Sequence, residues 1–358
     1  MMARTALVTG ACGFVGTHMV SHLIQQGWDV IATDLDREDH GNYYCENGVL
    51  HPSYQKDAIG EYDMEFIPAD LTRKETLYPL FEHRIDVIFN IASLYDYFAL
   101  WDVLYKINVE GTRNLVEVAV EKGVRRIIHW STEGVYGETP GEPVDEDFPK
   151  NPTNLYSKSK LAQENLLWDL HEGKKIDLTI LRPGPIYGPR HRYGVFHILY
   201  GVARLGVMIV PVIYPVSRTL MFPSVEVRDL VRAALFVAER DESCGEAYNL
   251  LSDPISQAEL MELVCRQIGI DHIIKLPMPW PIYKALAAVL RKLVLAMDRN
   301  ARKKNKRPKV DVPMIEYMTH QYWFSNEKIK NLGFKFIYQD PRKGLYEFIG
   351  YCKERGLL

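Results

Sequence analysis

Short apolar runs alternate with longer amphipathic stretches through the first half of the chain. The runs Ala6–Thr9, Asp29–Asp34, Met64–Pro68, Val87–Ile91, Arg126–Ser131 and Asp177–Arg182 have the length and apolar character of strands. Between them, apolar positions recur at helical spacing near Gly13–Gln26, Arg73–Glu82, Leu104–Lys122 and Asn154–Glu172. Strands without polar alternation are buried on both faces, and helices between them supply that cover. Right-handed crossovers then build an α/β fold, a doubly wound parallel sheet.

After Arg182 the rhythm breaks. Pro183, Pro185, Pro189, Pro211, Pro215 and Pro223 punctuate a loop-rich stretch, and "VEVRDLVRAALFVAER" reads as a strand end entering a helix. The expected organisation is a cofactor-binding Rossmann domain over 1–183 and a smaller substrate-binding lobe over 184–358. Segments near 220–250 are expected to interleave with the main sheet.

Composition narrows the function. The 358 residues are 47% hydrophobic and 25% charged, the balance of a soluble globular chain. A net charge of −3 provides no basic field for nucleic acid. Five cysteines lie scattered without CxxC or metal-ligand spacing, so neither a disulfide framework nor a metal site is expected. Ala6-Leu7-Val8 runs directly into a glycine turn with no secretory pattern before it, and the cytoplasm is the expected compartment.

That turn is "TGACGFVG". Gly10, Gly13 and Gly16 stand between a strand and a helix, where glycine lets backbone N–H groups approach a pyrophosphate at the helix N-terminus. A bare glycine-rich turn is the alternative, and the strand–turn–helix context favours the dinucleotide. Asp34 ends the second strand in "DVIATDLDR". An acid there accepts hydrogen bonds from the adenosine ribose and repels a 2′-phosphate, which selects NAD over NADP. Arg37 nearby weakens that selection. Asp70 in "IPADL" is placed to meet the adenine edge or, alternatively, to cap the following segment.

"IIHWSTEGVYG" puts Ser131 and Thr132 at the carboxyl end of a strand, the side of an open sheet that faces ligand. In "NLYSKSKLAQ", Tyr156 and Lys160 share one helical face at i and i+4, while Lys158 points elsewhere. An ammonium beside a phenol favours phenolate and makes the tyrosine a usable acid/base. An ordinary polar helix face is the competing reading.

The ordered motifs "TGACGFVG", "ADL", "NIAS", "INVEGTRNL", "STEGVYG", "YSKSK", "RPGPIYGPR", "VEVRDL" and "EAYNL" resemble the extended short-chain dehydrogenase/reductases over more than two-thirds of the chain. The resemblance implies an NAD-dependent enzyme with Thr132, Tyr156 and Lys160 as the catalytic triplet. It places Arg182, Pro183 and Gly184 near the nicotinamide and gives Asn108 a supporting role. Phe14, Val15, Leu71 and Ala92 complete the implied cofactor contacts. A homodimer, paired through the helix carrying Tyr156 and the one before it, is also implied.

Within this family the substrate divides between nucleotide-sugars and apolar alcohols. Sugar-nucleotide dehydratases carry Thr-Asp-Glu and the related decarboxylases Thr-Ser-Glu, whereas this chain has Thr132-Glu133-Gly134. Phe222 occupies a position where nucleotide-sugar members often hold an arginine for the diphosphate; Arg204 or Arg218 are substitutes. Those two arginines are the only charged residues between Tyr193 and Phe222, a stretch that reads either as the lining of an apolar pocket or as simple packing of the smaller lobe. Leu286, Val289, Leu290, Leu293, Val294 and Met297 mark a helical face ahead of the basic "RNARKKNKRPK". Segment 284–309 therefore reads as a peripheral membrane contact or a pocket cover, or else as a core-packed helix before a solvated loop. "YWFSNEKIKNLGFKF" resembles the closing segment of 3β-hydroxysteroid dehydrogenase-like members, with Ser325 capping a helix. The expected function is oxidation of a 3β-hydroxysteroid or similar hydrophobic alcohol by NAD+. A UDP- or dTDP-hexose 4-epimerase is the rival, and a non-catalytic NAD-binding regulator the third reading.

Overall fold

The computed structural model describes residues 4–35, 55–204, 209–304, 306, 312–317 and 319–358. Its centre is a sheet whose first half follows the chain closely: β1 (Thr5–Thr9), α1 (Phe14–Gln25), β2 (Asp29–Thr33), β3 (Glu65–Phe66) and β4 (Val87–Asn90). Next come α2 (Trp101–Leu104), a π-helical turn (Tyr105–Glu110), α3 (Gly111–Glu121), β5 (Arg126–Trp130), α4 (Leu155–Glu172) and β6 (Asp177–Pro183). After β6 come β7 (Ile186–Tyr187), α5 (Val195–Arg204), β8 (Ile209–Pro215), β9 (Met221–Phe222), β10 (Val225–Glu226) and α6 (Val227–Ala238). The chain closes with β11 (Glu246–Leu250), β12 (Ile255–Ser256), α7 (Gln257–Gln267), β13 (His272–Met278), α8 (Trp280–Lys303), α9 (Val312–Glu316), α10 (Glu327–Asn331) and α11 (Pro341–Glu354).

Seven parallel strands make the main sheet in the order β11-β6-β5-β4-β1-β2-β3. The apolar runs are continuous because both faces are covered. Ala6 and Val8 pack with Met19 of α1 and Leu230 of α6 on one face, while Leu7 packs with Leu115 of α3 and Leu167 of α4 on the other. β11, from the C-terminal half, pairs with β6 in register from Glu246–Thr179 to Leu250–Pro183. A separate core joins Tyr187, Phe196, Phe222, Val264 and Phe348.

Two local expectations are corrected. The segment read as a helix over Arg73–Glu82 is two 3-10 turns, Lys74–Thr76 and Tyr78–Phe81. Pro79 lacks an amide N–H, and Thr76 Oγ1 donates back to the carbonyls of Asp70 and Arg73, so the segment does not extend into a regular helix. The third strand spans only Glu65–Phe66 and, among the described residues, pairs with β2 at the sheet edge.

One buried ion pair ties α4 to the sheet. The Arg182 guanidinium donates to both Glu164 oxygens at 3.0 and 2.7 Å, and Nη1 donates to Tyr136 Oη at 2.7 Å and the Glu146 carbonyl at 3.0 Å. Tyr136 Oη in turn donates to Asn249 of β11. The resemblance set Arg182 near the nicotinamide; its side chain instead turns into the interior, where Glu164 neutralises it. Removing one member of such a pair strands a buried charge, so Arg182→Leu is expected to lower unfolding free energy by about 3–5 kcal/mol in urea titrations.

Candidate active site

The carboxyl ends of the parallel strands β1, β2, β4, β5 and β6 lie along one edge of the sheet, the side where open α/β sheets take ligand. Gly10 follows β1 at φ +65°, where a Cβ would stand 2.9 Å from both Ala92 N and Cα. A Cβ on Gly16 would overlap the Gly10 carbonyl oxygen. These glycines let the turn close against α1, whose N-terminus has no side-chain cap and no acid in its first turn. Phe14 stacks its ring on His191 at 4.6 Å, and Val15 packs half-buried against the core. Asp34 Oδ2 accepts from Cys12 N at 3.0 Å, fixing the carboxylate beside the glycine turn. Arg37 lies outside the described residues.

Beyond β3, Asp70 Oδ1 accepts from Thr72 N and Oγ1, so the carboxylate closes a local turn. Leu71 packs where a Cβ on Gly111 would come within 3.1 Å. Ala92 N donates to Thr9 Oγ1 after β4. Pro183 ends β6, and Gly184 follows it; a Cβ there would lie 2.9 Å from Glu133 Oε2.

Thr132 leaves β5 extended and its hydroxyl accepts from Gly134 N at 3.2 Å, starting a 3-10 turn. That turn presses on α4: a Cβ on Gly134 would meet Ser157 Oγ at 2.5 Å. Tyr156 and Lys160 lie on the buried face of α4. Asn108, in the π-helical turn, accepts from Leu94 N at 2.7 Å and donates to Ser159 Oγ at 2.9 Å. Ser159 Oγ donates to the Tyr156 carbonyl, so the asparagine braces the helix beneath the phenol.

Burial governs the electrostatics. It pushes the Tyr156 phenol well above its usual range, and Tyr97 and Glu133 add to the shift. It pulls the Lys160 ammonium from 10.5 down to about 7, against the opposing charge of Glu164. The ammonium in turn helps burial keep His129 neutral. Burial also pushes the Glu133 carboxyl well above the usual carboxylate range; one oxygen accepts from Tyr317 Oη at 3.4 Å, and Oε2 has no hydrogen-bond partner.

Sequence reasoning missed the aromatic wall. Tyr95 and Tyr97 set their rings edge-on to Tyr156 at 4.8 and 5.8 Å, and Tyr193 abuts Tyr95 at 5.2 Å. "SLYDYFAL" follows directly on the fourth strand, so the crevice rule marks Tyr95 and Tyr97 as facing ligand. No comparable signal marks Tyr193.

The donor set fits a nicotinamide dinucleotide. The glycine cradle admits no side chain, and the buried hydroxyls of Ser93 and Ser131, just past β4 and β5, lack hydrogen-bond partners. The sequence profile of the NAD dependent epimerase/dehydratase family matches residues 6–250. The chain belongs to that family. It is an NAD-dependent enzyme family, and the mouse dTDP-D-glucose 4,6-dehydratase is 33% identical over 197 residues, 53% of this chain and 52% of that protein. The sterol-4-alpha-carboxylate 3-dehydrogenase, decarboxylating, of Bos taurus is 30% identical over 194 residues, 52% of this chain and 48% of that one. The chain spans about half the length of the curated relatives it matches. The crystal structure of Thermotoga maritima UDP-glucose 4-epimerase with UDP-glucose shares the fold, with a TM-score of 0.73 at 22% identity over 98% of this chain and 99% of that one.

Lys160 generates a pH prediction. Its folded pKa lies below its unfolded one, so the folded chain binds fewer protons between pH ~7 and ~10.5. Stability of the cofactor-free protein therefore rises with pH across that window, and the destabilisation is complete below it. Lys160→Met is expected to unfold at higher urea than the parent at pH about 7, with the gap closing as pH approaches about 10.

Proposed function

We propose that this chain is an NAD-dependent dehydrogenase that oxidises a hydrophobic secondary alcohol, with a 3β-hydroxysteroid as the substrate class. One observation carries the reading. Tyr156 is walled by the rings of Tyr95 and Tyr97, a surface suited to a flat apolar body rather than a charged diphosphate. Arg204 and Arg218, the two arginines that could take the place of the diphosphate arginine, are otherwise engaged. Arg218 pairs with Glu138 and lies over Trp280, Arg204 lies over Tyr200, and Phe222 is buried against Tyr317.

On this reading the residues divide the work. Gly10, Gly13, Phe14, Val15, Gly16 and Asp34 would hold the adenosine diphosphate half of NAD, and Ala92, Pro183 and Gly184 the nicotinamide side. Bound NAD+ supplies the hydride acceptor. Thr132 hydrogen-bonds the substrate oxygen, Tyr156 accepts the hydroxyl proton, and the Lys160 charge stabilises the phenolate that burial otherwise disfavours. The balance is alcohol plus NAD+ to ketone, NADH and a proton. The chain pairs as a homodimer through α3 and α4 on the same reading, with a light-scattering mass of twice the monomer as the expected result.

A nucleotide-sugar 4-epimerase is the second reading. Arg192 Nη1 is buried without an acceptor, and a diphosphate oxygen would satisfy it. A turnover screen separates the two. NADH is expected to accumulate with a 3β-hydroxysteroid and not with UDP- or dTDP-hexoses; conversion of a hexose to its C4 epimer without net NADH would establish the rival. Tyr156→Phe is expected to lower kcat by roughly 10²–10⁴ while NAD+ still binds. Unchanged cellular function in that variant would point to a non-catalytic regulator.

A further inference from the structure

α8 turns the wrong face to the protein. Along its 24 residues it buries Tyr283, Ala287 and Val294. Ile282, Leu286, Val289, Leu293 and Met297, spaced four, three, four and four, form a second apolar stripe that is 47–59% exposed. The sequence marked most of this face; of its members Val294 is buried, whereas Leu286, Val289, Leu293 and Met297 face solvent. The strand that leads into α8 repeats the pattern. Ile213 pairs with Leu276 across the β8–β13 ribbon, Ile209 and Ile274 alternate with them, and all four are exposed. Contiguous apolar surface of this kind on a folded chain marks a place of contact.

Charge selects the partner. Between Trp280 and Lys304 stand seven Lys or Arg residues and one acid, Asp298, which is paired with Arg302 at 2.8 Å. Lys292, Arg299 and Lys303 recur at helical spacing along the flank of the stripe and are exposed. A second copy of α8 would bring a second basic flank against the first, and like charges across an apolar seam oppose pairing. An anionic surface matches both features, because each Lys or Arg near anionic lipid contributes about 1 kcal/mol of attraction. No helix among the described residues is long and apolar enough to cross a membrane, so α8 would lie along one.

The surface also reaches the crevice. Arg302, near the end of α8, donates to the Phe98 carbonyl at 3.1 Å and lies over its ring at 4.1 Å. Phe98 follows Tyr95 and Tyr97, which wall Tyr156, and it precedes Leu100, Trp101 and Val103, all exposed. We propose that α8 docks this chain flat on an anionic lipid bilayer, beside the mouth of the substrate pocket, so that a lipid-dissolved substrate reaches Tyr156 along the 95–103 segment. The delivery step rests on the apolar-alcohol reading; docking does not, and is measured without substrate.

The test is co-sedimentation of the full chain with vesicles of phosphatidylcholine containing phosphatidylglycerol, and with phosphatidylcholine alone. Binding is expected to the anionic vesicles, and it weakens as salt is raised. Leu286→Glu with Leu293→Glu is expected to reduce it at least about tenfold, and Lys292→Glu with Lys303→Glu to reduce it toward the neutral-vesicle level. Unchanged NAD+ binding and melting temperature show that each variant is folded. Wild-type protein that stays in solution with anionic vesicles would overturn the proposal. So would equal binding to both vesicle types, or a light-scattering dimer broken by the leucine variant without any lipid binding, which would assign the face to a second copy.

Discussion

The ion pair between Glu164 and Arg182 is the contact on which the catalytic geometry rests. Both side chains are almost wholly inaccessible, so neither charge is tolerable without the other. The bidentate geometry fixes the distance and the rotation of α4 relative to β6 together. Lys160 and Tyr156 lie one and two turns earlier on that helix, and Thr132 follows just past the end of β5, the strand next to β6. Through Tyr136 the same guanidinium also reaches the segment that follows Thr132, so one residue holds both sides of the reacting centre in register.

Around it the interior is more polar than a packed sheet requires. Thr9 donates to Asn90, Asn90 meets His129, and Gln163 bridges the Asn108 carbonyl and Thr112. These bonds satisfy side-chain groups that burial would otherwise penalise. The result is a rigid floor under a phenol and an ammonium that are each disfavoured in their charged forms. Such opposed pressures mark sites that exchange protons rather than merely hold them.

The sheet was legible because strands covered on both faces have only one way to be written, as unbroken apolar runs. The glycine turn and the Tyr156–Lys160 spacing were legible for a similar reason: the constraint on each is local. What the sequence concealed was set at a distance. Arg182 stands 18 residues from Glu164 in a motif that draws attention to the cofactor, and only the fold shows the guanidinium turned inward. Tyr193 comes to Tyr95 through a loop path that no periodicity records. Pro79 and Thr76 overrode an apolar pattern that otherwise favours helix. The stripe on α8 was legible as apolar, but periodicity cannot say which side of a helix meets protein and which meets something else.

The return of β11 to the edge of the main sheet ties the segment between β6 and β11 into the fold at both ends. The five residues of β11 hydrogen-bond to β6 and supply the last parallel partner. A ribosome therefore releases an N-terminal half with a raw edge, which is completed only after Leu250 has emerged. Recombination that exchanges the segment between β6 and β11 must respect two splice points rather than one. New specificities on this scaffold would then arise more readily by altering loops such as 95–103 than by trading that whole segment.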